Sequence, residues 1–314
     1  MRGLKGRLAV GGLGVLLLAL SAGLIAYGLS LPDPSTAGTP AFATIHGTNQ
    51  FLQPPFHSFL NLDIVDVNHH RLGTHFYLLG SDPGGRDLIA LTARGALPSL
   101  ALVSIVLAAR FLVGLAAGFA MGLGPDYLRS AVLGLSSWVI GFPYLALALI
   151  FIEALTRNGR LLAFVVGMAM VGWRDIATLV ADRIDNVRSQ PYALAAKSLG
   201  SEGLRFFRSH VVPHLQPALA LEIPFQISGI LVLLAELGYL KVYLGPIRVM
   251  AAEGDNNINL LTQPELGQLL ADSRRYLLYH QWEPVLVPAI VILTLVLGFE
   301  LLGMAIRGRS RFSR

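Results

Sequence analysis

Most apolar residues in this chain do not alternate with polar ones at the spacing of a surface helix or a half-buried strand. They gather into long runs at residues 8 to 31, 98 to 123, 130 to 156, 161 to 180, 218 to 240 and 284 to 303. Each run is near the ~20 residues that a helix needs to cross the hydrocarbon of a bilayer. Six membrane-spanning helices are therefore predicted. The first run follows Arg2, Lys5 and Arg7 and stops at Pro32. It reads as a span, being longer than a signal core, while Ser21, Ala22 and Gly23 leave a cleaved signal peptide as the other reading.

Composition agrees with the pattern. The 314 residues are 54% hydrophobic and 14% charged, with a mean hydropathy of +0.61, too apolar for an ordinary soluble domain. A formal charge of +5 would fit nucleic acid in another protein. Here the basic residues flank spans, as the inner face of a membrane requires, and a nucleic-acid partner is not expected. The amino-terminal stub, Arg129, the loop at 182 to 217 and the carboxy-terminal arginines all fall on one side if the spans alternate. That places both termini in the cytoplasm, and segments 32 to 97 and 241 to 283 outside it. There is no cysteine, so disulfides, thiolate metal sites and thiol nucleophiles are excluded.

Several polar landmarks interrupt the apolar runs. The stretch GSDPGGRD at 80 to 87 approaches a phosphate-binding loop, but Arg86 and Asp87 stand where lysine and a hydroxyl side chain are needed and no strand leads into it. The better reading is a structural elbow of Asp82, Gly85, Arg86 and Asp87, in which Asp82 caps a short interfacial helix beginning at Pro83 and pairs with Arg86 at i, i+4. Arg110 lies near the centre of span two, where an arginine costs at least ~2.5 kcal/mol unless it is paired or faces water. Glu222, Glu153, Glu236 and Glu300 lie at other depths, so its partner is expected on another subunit or on a cargo carboxylate. Pro143 and Pro224 interrupt spans three and five and free carbonyls that line a path, or serve as packing kinks. Arg110, Pro143, Glu222 and Pro224 are thus the candidate translocation residues. Gly114, Gly118 and Gly122, spaced by four, fit a contact with a partner's helix. Histidines 57, 69, 70 and 75 gather before span two, and solvated histidines are the preferred reading over a metal site. Signatures of intramembrane hydrolysis are missing: no His-Glu-x-x-His, no Gly-x-Ser-x-Gly and no aspartate pair within a span.

Three stretches in order carry a family resemblance. LGSDPGGRDLIALTARGALPSL at 79 to 100 resembles the segment before span two in the C-type permease subunit of dipeptide, oligopeptide and nickel ABC importers, matching at Gly80, Asp82, Gly85, Arg86, Asp87, Gly95, Ser99 and Leu100. YALAAKSLGSEGLRFFRSHVVPHLQPAL at 192 to 219 fits the cytoplasmic loop of importer permeases at Ala195, Ala196, Gly200 and Pro213, with Leu194 in place of the usual glutamate. AELGYL at 235 to 240, PELGQLLADSRRYL at 264 to 277 and FELLGMAIRGR at 299 to 309 resemble the closing motifs, while residues 246 to 263 look inserted and Leu266 and Glu300 depart from the pattern. Pro143 and Trp173 match as well.

The resemblance implies an all-α integral membrane protein of the importer permease type, with six spans in a bacterial inner membrane. Its organisation would be a first helix to residue 31, an extracytoplasmic segment to 97, a five-helix core to 309 and a basic tail. The function implied is that of one transmembrane subunit of an ABC importer. It forms a path for a peptide-like solute with a second, B-type permease, served by two ABC ATPases and an extracytoplasmic solute-binding protein. The chain would have no catalytic site, metal or cofactor of its own, ATP and Mg being held by the ATPases. In the family the loop forms two short helices that enter a groove on the ATPase. Tyr192, Leu194, Ala195, Ala196, Gly200, Arg205, Phe206, Arg208 and Pro213 are the corresponding coupling residues, with the apolar face of Tyr192, Leu194, Leu199, Phe206 and Phe207 compensating for the missing glutamate. The other reading is a degenerate permease homologue that serves as a scaffold without import.

Overall fold

The computed structural model describes residues 2–31, 41–45, 48–52, 56–65, 71–82, 85–198, 207–244, 247–250, 258–261, 265–271, 273–278 and 280–310. Among these, five helices are long and apolar enough to cross a membrane, and a sharply bent pair makes up to six. Helices are what such runs must form in lipid, because each satisfies its backbone hydrogen bonds within itself. They are α1 (Arg2–Ser30), α2 (Leu88–Leu123), the pair α3 (Asp126–Gly141) and α4 (Tyr144–Leu155), α5 (Arg160–Arg188), α7 (Val212–Tyr239) and α10 (Glu283–Ser310). Between α5 and α7 lies the short helix α6 (Pro191–Ser198), and a π-helical turn at Phe207–Val211 leads into α7.

Three boundaries differ from expectation. The helix of span two begins at Leu88 and runs 36 residues, about 54 Å at 1.5 Å per residue. The expected interfacial helix is its first turns, not a separate piece. The third run is broken at Phe142 and Pro143, with α3 and α4 at 100° to each other. A proline forbids the helical amide bond at its own position and disfavours α geometry just before it, and Phe142 accordingly has extended backbone angles. Pro224 does not interrupt its span, however: α7 continues through both Pro217 and Pro224.

The chain divides into two compact units. One comprises residues 1–14, 102–233 and 299–314; the other comprises 15–101 and 234–298. In the first, the core is built on α5. Ile176, Val180, Ile184 and Val187 are buried at near-helical spacing and meet Val211 and Leu215, with Phe111, Leu115, Phe119 and Phe207 packed against them. The glycine stripe of α2 lies on this helix, not on a partner: a Cβ at Gly114, Gly118 or Gly122 would fall 2.6 Å from Ile176, 2.5 Å from Val180 and 2.6 Å from Ile184 respectively. The same offset of 62 positions links all three pairs, so the two helices keep one register over these turns. Each glycine accommodates one aliphatic side chain of α5.

The second unit contains the strands. β1 (Ala41–Ile45), β2 (Thr48–Leu52), β3 (Leu60–Val65) and β4 (Arg71–Tyr77) form an antiparallel sheet in the order β2-β1-β3-β4. β5 (Ile247–Met250) pairs with β6 (Ile258–Leu261) in the stretch that looks inserted, ahead of the short helices α8 (Leu266–Leu269) and α9 (Ser273–Leu278). The all-helical part of the protein is thus its spans, and the segment between α1 and α2 holds a sheet whose strand β4 ends at Tyr77, so that a strand does lead into the elbow at Gly80, contrary to the reading of the sequence pattern.

Replacing Gly118 by leucine is expected to drive α2 off α5 and cost about 1–3 kcal/mol, seen as a lower midpoint of thermal unfolding in detergent. Gly134 of α3 has nothing within 4 Å of its Cβ position, and the same change there should leave the midpoint unmoved.

Candidate functional site

In the first unit the buried charge of Arg110 finds its partners inside the chain. The residue is 5% exposed. Its Nε donates to the carbonyl of Met168 at 3.0 Å and one terminal nitrogen donates to Gln226 Oε1 at 2.9 Å. Gln226 in turn donates from Nε2 to Glu222 Oε1 at 3.3 Å. The guanidinium therefore joins α2 to α5 and α7, which corrects the expectation of a partner on another subunit or on cargo. Gly172 makes this possible: a Cβ there would lie 2.5 Å from the guanidinium carbon, and position 172 sits one turn beyond the Met168 carbonyl.

Arg110 and Glu222 thus come together through Gln226, a neutral side chain that charge pairing along the sequence does not point to. Pro224 is buried on α7 between Glu222 and Gln226, whereas Pro143 marks the break before α4 and belongs to no hydrogen bond of this node. Glu300 takes a hydrogen bond from Ser228 at 2.5 Å, and Arg307 sits over the ring of Phe225 at 4.9 Å, so the end of α10 is fastened to α7.

The loop after α5 is helical over Pro191–Ser198, the first of the two short helices expected there. Residues 199–206, where the second would fall, lie outside the described residues, and after them a π-helical turn at Phe207–Val211 passes directly into α7. Tyr192, Ala195 and Arg208 are exposed. Phe207 is not available as a surface anchor, because its ring packs edge-on against Phe119 at 5.3 Å in the core. Tyr192 instead stacks on two histidines the sequence reading had not singled out, His210 and His214. Pro213 follows the turn in the first residues of α7. Gly200, Arg205 and Phe206 lie outside the described residues, as do the side chains of Leu194 and Ala196.

In the second unit the motif stretches converge. Arg86 donates to Asp82 Oδ2 from Nε at 2.8 Å and from a terminal nitrogen at 2.5 Å, and its own N–H reaches Asp82 Oδ1 at 2.8 Å. Asp82 is therefore occupied, and the cap of α2 is Asp87, whose Oδ1 accepts from the amides of Ile89 at 2.8 Å and Ala90 at 3.1 Å. This corrects the assignment of the cap to Asp82. Gly80 and Gly85 hold φ of 84° and 75°, angles that side-chain-bearing residues rarely adopt. Tyr77 closes the elbow by donating to the Gly85 carbonyl at 2.8 Å. Burial first, and the charges of Asp87 and Asp82 after it, push the Tyr77 hydroxyl above its ordinary range.

The later motifs meet the same helix. Ser99 Oγ accepts the amide of Leu266 at 2.7 Å, Glu265 accepts the amide of Leu244 at 2.9 Å, and the backbones of Gly238 and Gly267 touch. A cleft beside the Asp82–Arg86 pair is lined by Thr92, Gln268, Tyr276 and Pro284. The elbow is thus a structural joint. No group of three or more histidine, aspartate or glutamate side chains suited to a metal ion occurs among the described residues, and His69 and His70 lie outside them.

Buried polar groups that satisfy one another between long apolar helices define a multi-pass helical membrane protein. The family model of the binding-protein-dependent transport system inner membrane component matches residues 113–311, and the chain belongs to that family. It is an inner-membrane permease component without catalysis of its own. The dipeptide transport system permease protein DppC of Haemophilus influenzae is 26% identical over 235 residues, covering 75% of this chain and 74% of its own. The peptide transport system permease protein SapC of Escherichia coli O6:H1 is 27% identical over 252 residues, covering 79% and 78%. A chain of an amino acid ABC transporter solved with histidines superposes at a TM-score of 0.47 with 18% identity, over 70% of this chain and 94% of that one.

Gln226→Leu should destabilise the solubilised protein by about 1.5–3 kcal/mol, because it strips a charged donor of its acceptor. Adding Arg110→Leu should recover part of that loss, since the double variant leaves no buried charge, and chemical unfolding of the four proteins of the cycle measures it. Tyr77 gives a pH signature. The folded protein holds this proton more tightly than the unfolded chain, whose value is 10.0, so its contribution is complete below pH 10 and falls as pH rises further. The unfolding midpoint of Tyr77→Phe should be lower at neutral pH, by a loss of about 1 kcal/mol, and should decline less steeply above pH 10.

Proposed function

We propose that this chain is one transmembrane subunit of an ABC importer for a peptide-like small solute. It pairs with a second permease around the path and is driven by two cytoplasmic ABC ATPases that hold ATP and Mg. A solute-binding protein on the opposite side delivers the cargo. The observation that carries this reading is α6, a separate helix between α5 and α7 that exposes Tyr192 and Ala195 at the place where importer permeases meet their ATPase. Membership of the binding-protein-dependent family and the similarity to DppC and SapC supply the class of partner and cargo.

On this reading both termini and α6 face the cytoplasm, and the sheet and hairpin face the binding protein. The bulk of the basic residues beside spans then lie inward, as membrane insertion favours. Closure of the ATPases displaces α6. Because α7 begins beside α6 and carries Gln226 and Glu222, the displacement reaches the helices that Arg110 joins. Arg110, Glu222 and Pro224 accordingly flank the moving part of the path, and alternating access is a rearrangement of these helices about their buried polar node.

The test is purification of the tagged chain from its native membrane in mild detergent, followed by reconstitution with the partners recovered. Co-purification of a second multi-pass subunit and ATP-binding subunits is expected, with ATP hydrolysis stimulated by a peptide-loaded binding protein. Recovery of the chain alone, or an assembly whose hydrolysis ignores loaded binding protein, would favour the scaffold reading instead.

A further inference from the structure

The beginning of α7 presents two faces with different partners. Phe207, Val211 and Leu215 point into the core formed with α5. His210 and His214, one turn apart on the neighbouring face, both lie against Tyr192 of α6, with ring centroids 6.1 Å away and planes inclined by 20° and 19°. These separations and angles are those of offset stacking. The His214 ring is itself fixed, its Nδ1 lying 2.8 Å from the His210 carbonyl. α6 is only eight residues long, too short to hold its own direction in water.

We propose that Tyr192 is the positioning residue of the coupling helix: stacked on His210 and His214, its ring sets the direction of α6 against α7. The π-helical turn contributes to this geometry. One extra residue in the turn rotates the following side chains relative to an α-helix, and here it lets the apolar set face α5 while the two imidazoles face α6. From His214 to Gln226 the chain is one continuous helix, about 18 Å long at 1.5 Å per residue. The stack therefore connects the docking helix to the Arg110 node through a single element.

The importance of the stack for transport rests on α6 being the ATPase-docking helix, so the experiment has one arm that depends on this and one that does not. The chain has no cysteine, so Ala195→Cys on α6 and Gln216→Cys on α7, both at exposed positions, carry a pair of spin labels without background. In full-length protein in nanodiscs the label distance should be narrowly distributed, broad in Tyr192→Ala, and narrow again in Tyr192→Phe, which keeps the ring. His210→Ala with His214→Ala, which leaves Tyr192 in place, should broaden it as Tyr192→Ala does and serves in its stead if that variant is not recovered.

In the reconstituted importer, stimulation of hydrolysis by loaded binding protein should fall about fivefold to tenfold in Tyr192→Ala and stay within about twofold of wild type in Tyr192→Phe, the size expected of two aromatic contacts. A distribution that stays narrow without the ring or without the histidines overturns the proposal, as does a Tyr192→Phe variant as broad as Tyr192→Ala. A wild-type assembly that shows no stimulation, while the label distances respond as described, leaves the clamp standing and removes the importer reading.

Discussion

A full positive charge has been placed within a long apolar helix, and the rest of the first unit is arranged so that it can stay there. An unpaired arginine in hydrocarbon is among the costliest residues a span can carry. Arg110 instead donates to two neutral acceptors, the Met168 carbonyl and Gln226 Oε1. Neutral acceptors do not cancel the charge; they replace the hydrogen bonds water would have made. The requirement reaches other residues: position 172 has to lack a side chain, Gln226 has to point its oxygen at α2, and its amide nitrogen then needs Glu222. One substitution in α2 would thus be felt in α5 and α7.

Unit two depends on a different solution to the same problem. Asp82 and Arg86 are nearly buried, and the carboxylate accepts from both the guanidinium and the backbone amide of Arg86. The joint they make lets the sheet stop and α2 start within a few residues. The later motif stretches then pack their backbones on that start, through Ser99 and through Gly238 against Gly267. Motifs far apart in sequence thus meet in one joint.

Much of the helical part was legible as apolar runs, and the elbow's i, i+4 pair was legible as spacing. The cap was misassigned because two aspartates precede the helix and sequence alone does not tell which carboxylate an arginine will occupy. The partner of Arg110 was missed because only acidic residues were weighed against its charge, although Gln226 stands one turn from Glu222 in an otherwise apolar span. Strand β3 did alternate, as Leu60, Leu62 and Ile64 against Asn61 and Asp63, but its pairing shifts register at Ile64 and Val65, and strands β2 and β4 of the same sheet are too polar to continue the pattern. In the loop after α5 the described residues resume at Phe207. Phe207, Val211 and Leu215 are spaced to lie on one side of a helix, and burying that side makes the turn an extension of α7.

The constant offset between α2 and α5 has a topological consequence. Residue numbers that rise together along a contact belong to helices pointing the same way. A chain that finishes α2 at one end of this pair and must start α5 at the other has to return along its full length in between. Only α3 and α4 are available for the journey, so the two arms on either side of Pro143 together make a single traverse, however sharply they bend. Neither arm, at 16 and 12 residues, reaches across about 30 Å of hydrocarbon unaided. The corner between them leaves main-chain carbonyls without helical partners at depth, and lipid tails offer nothing to bind them. That corner must be wetted or covered by protein.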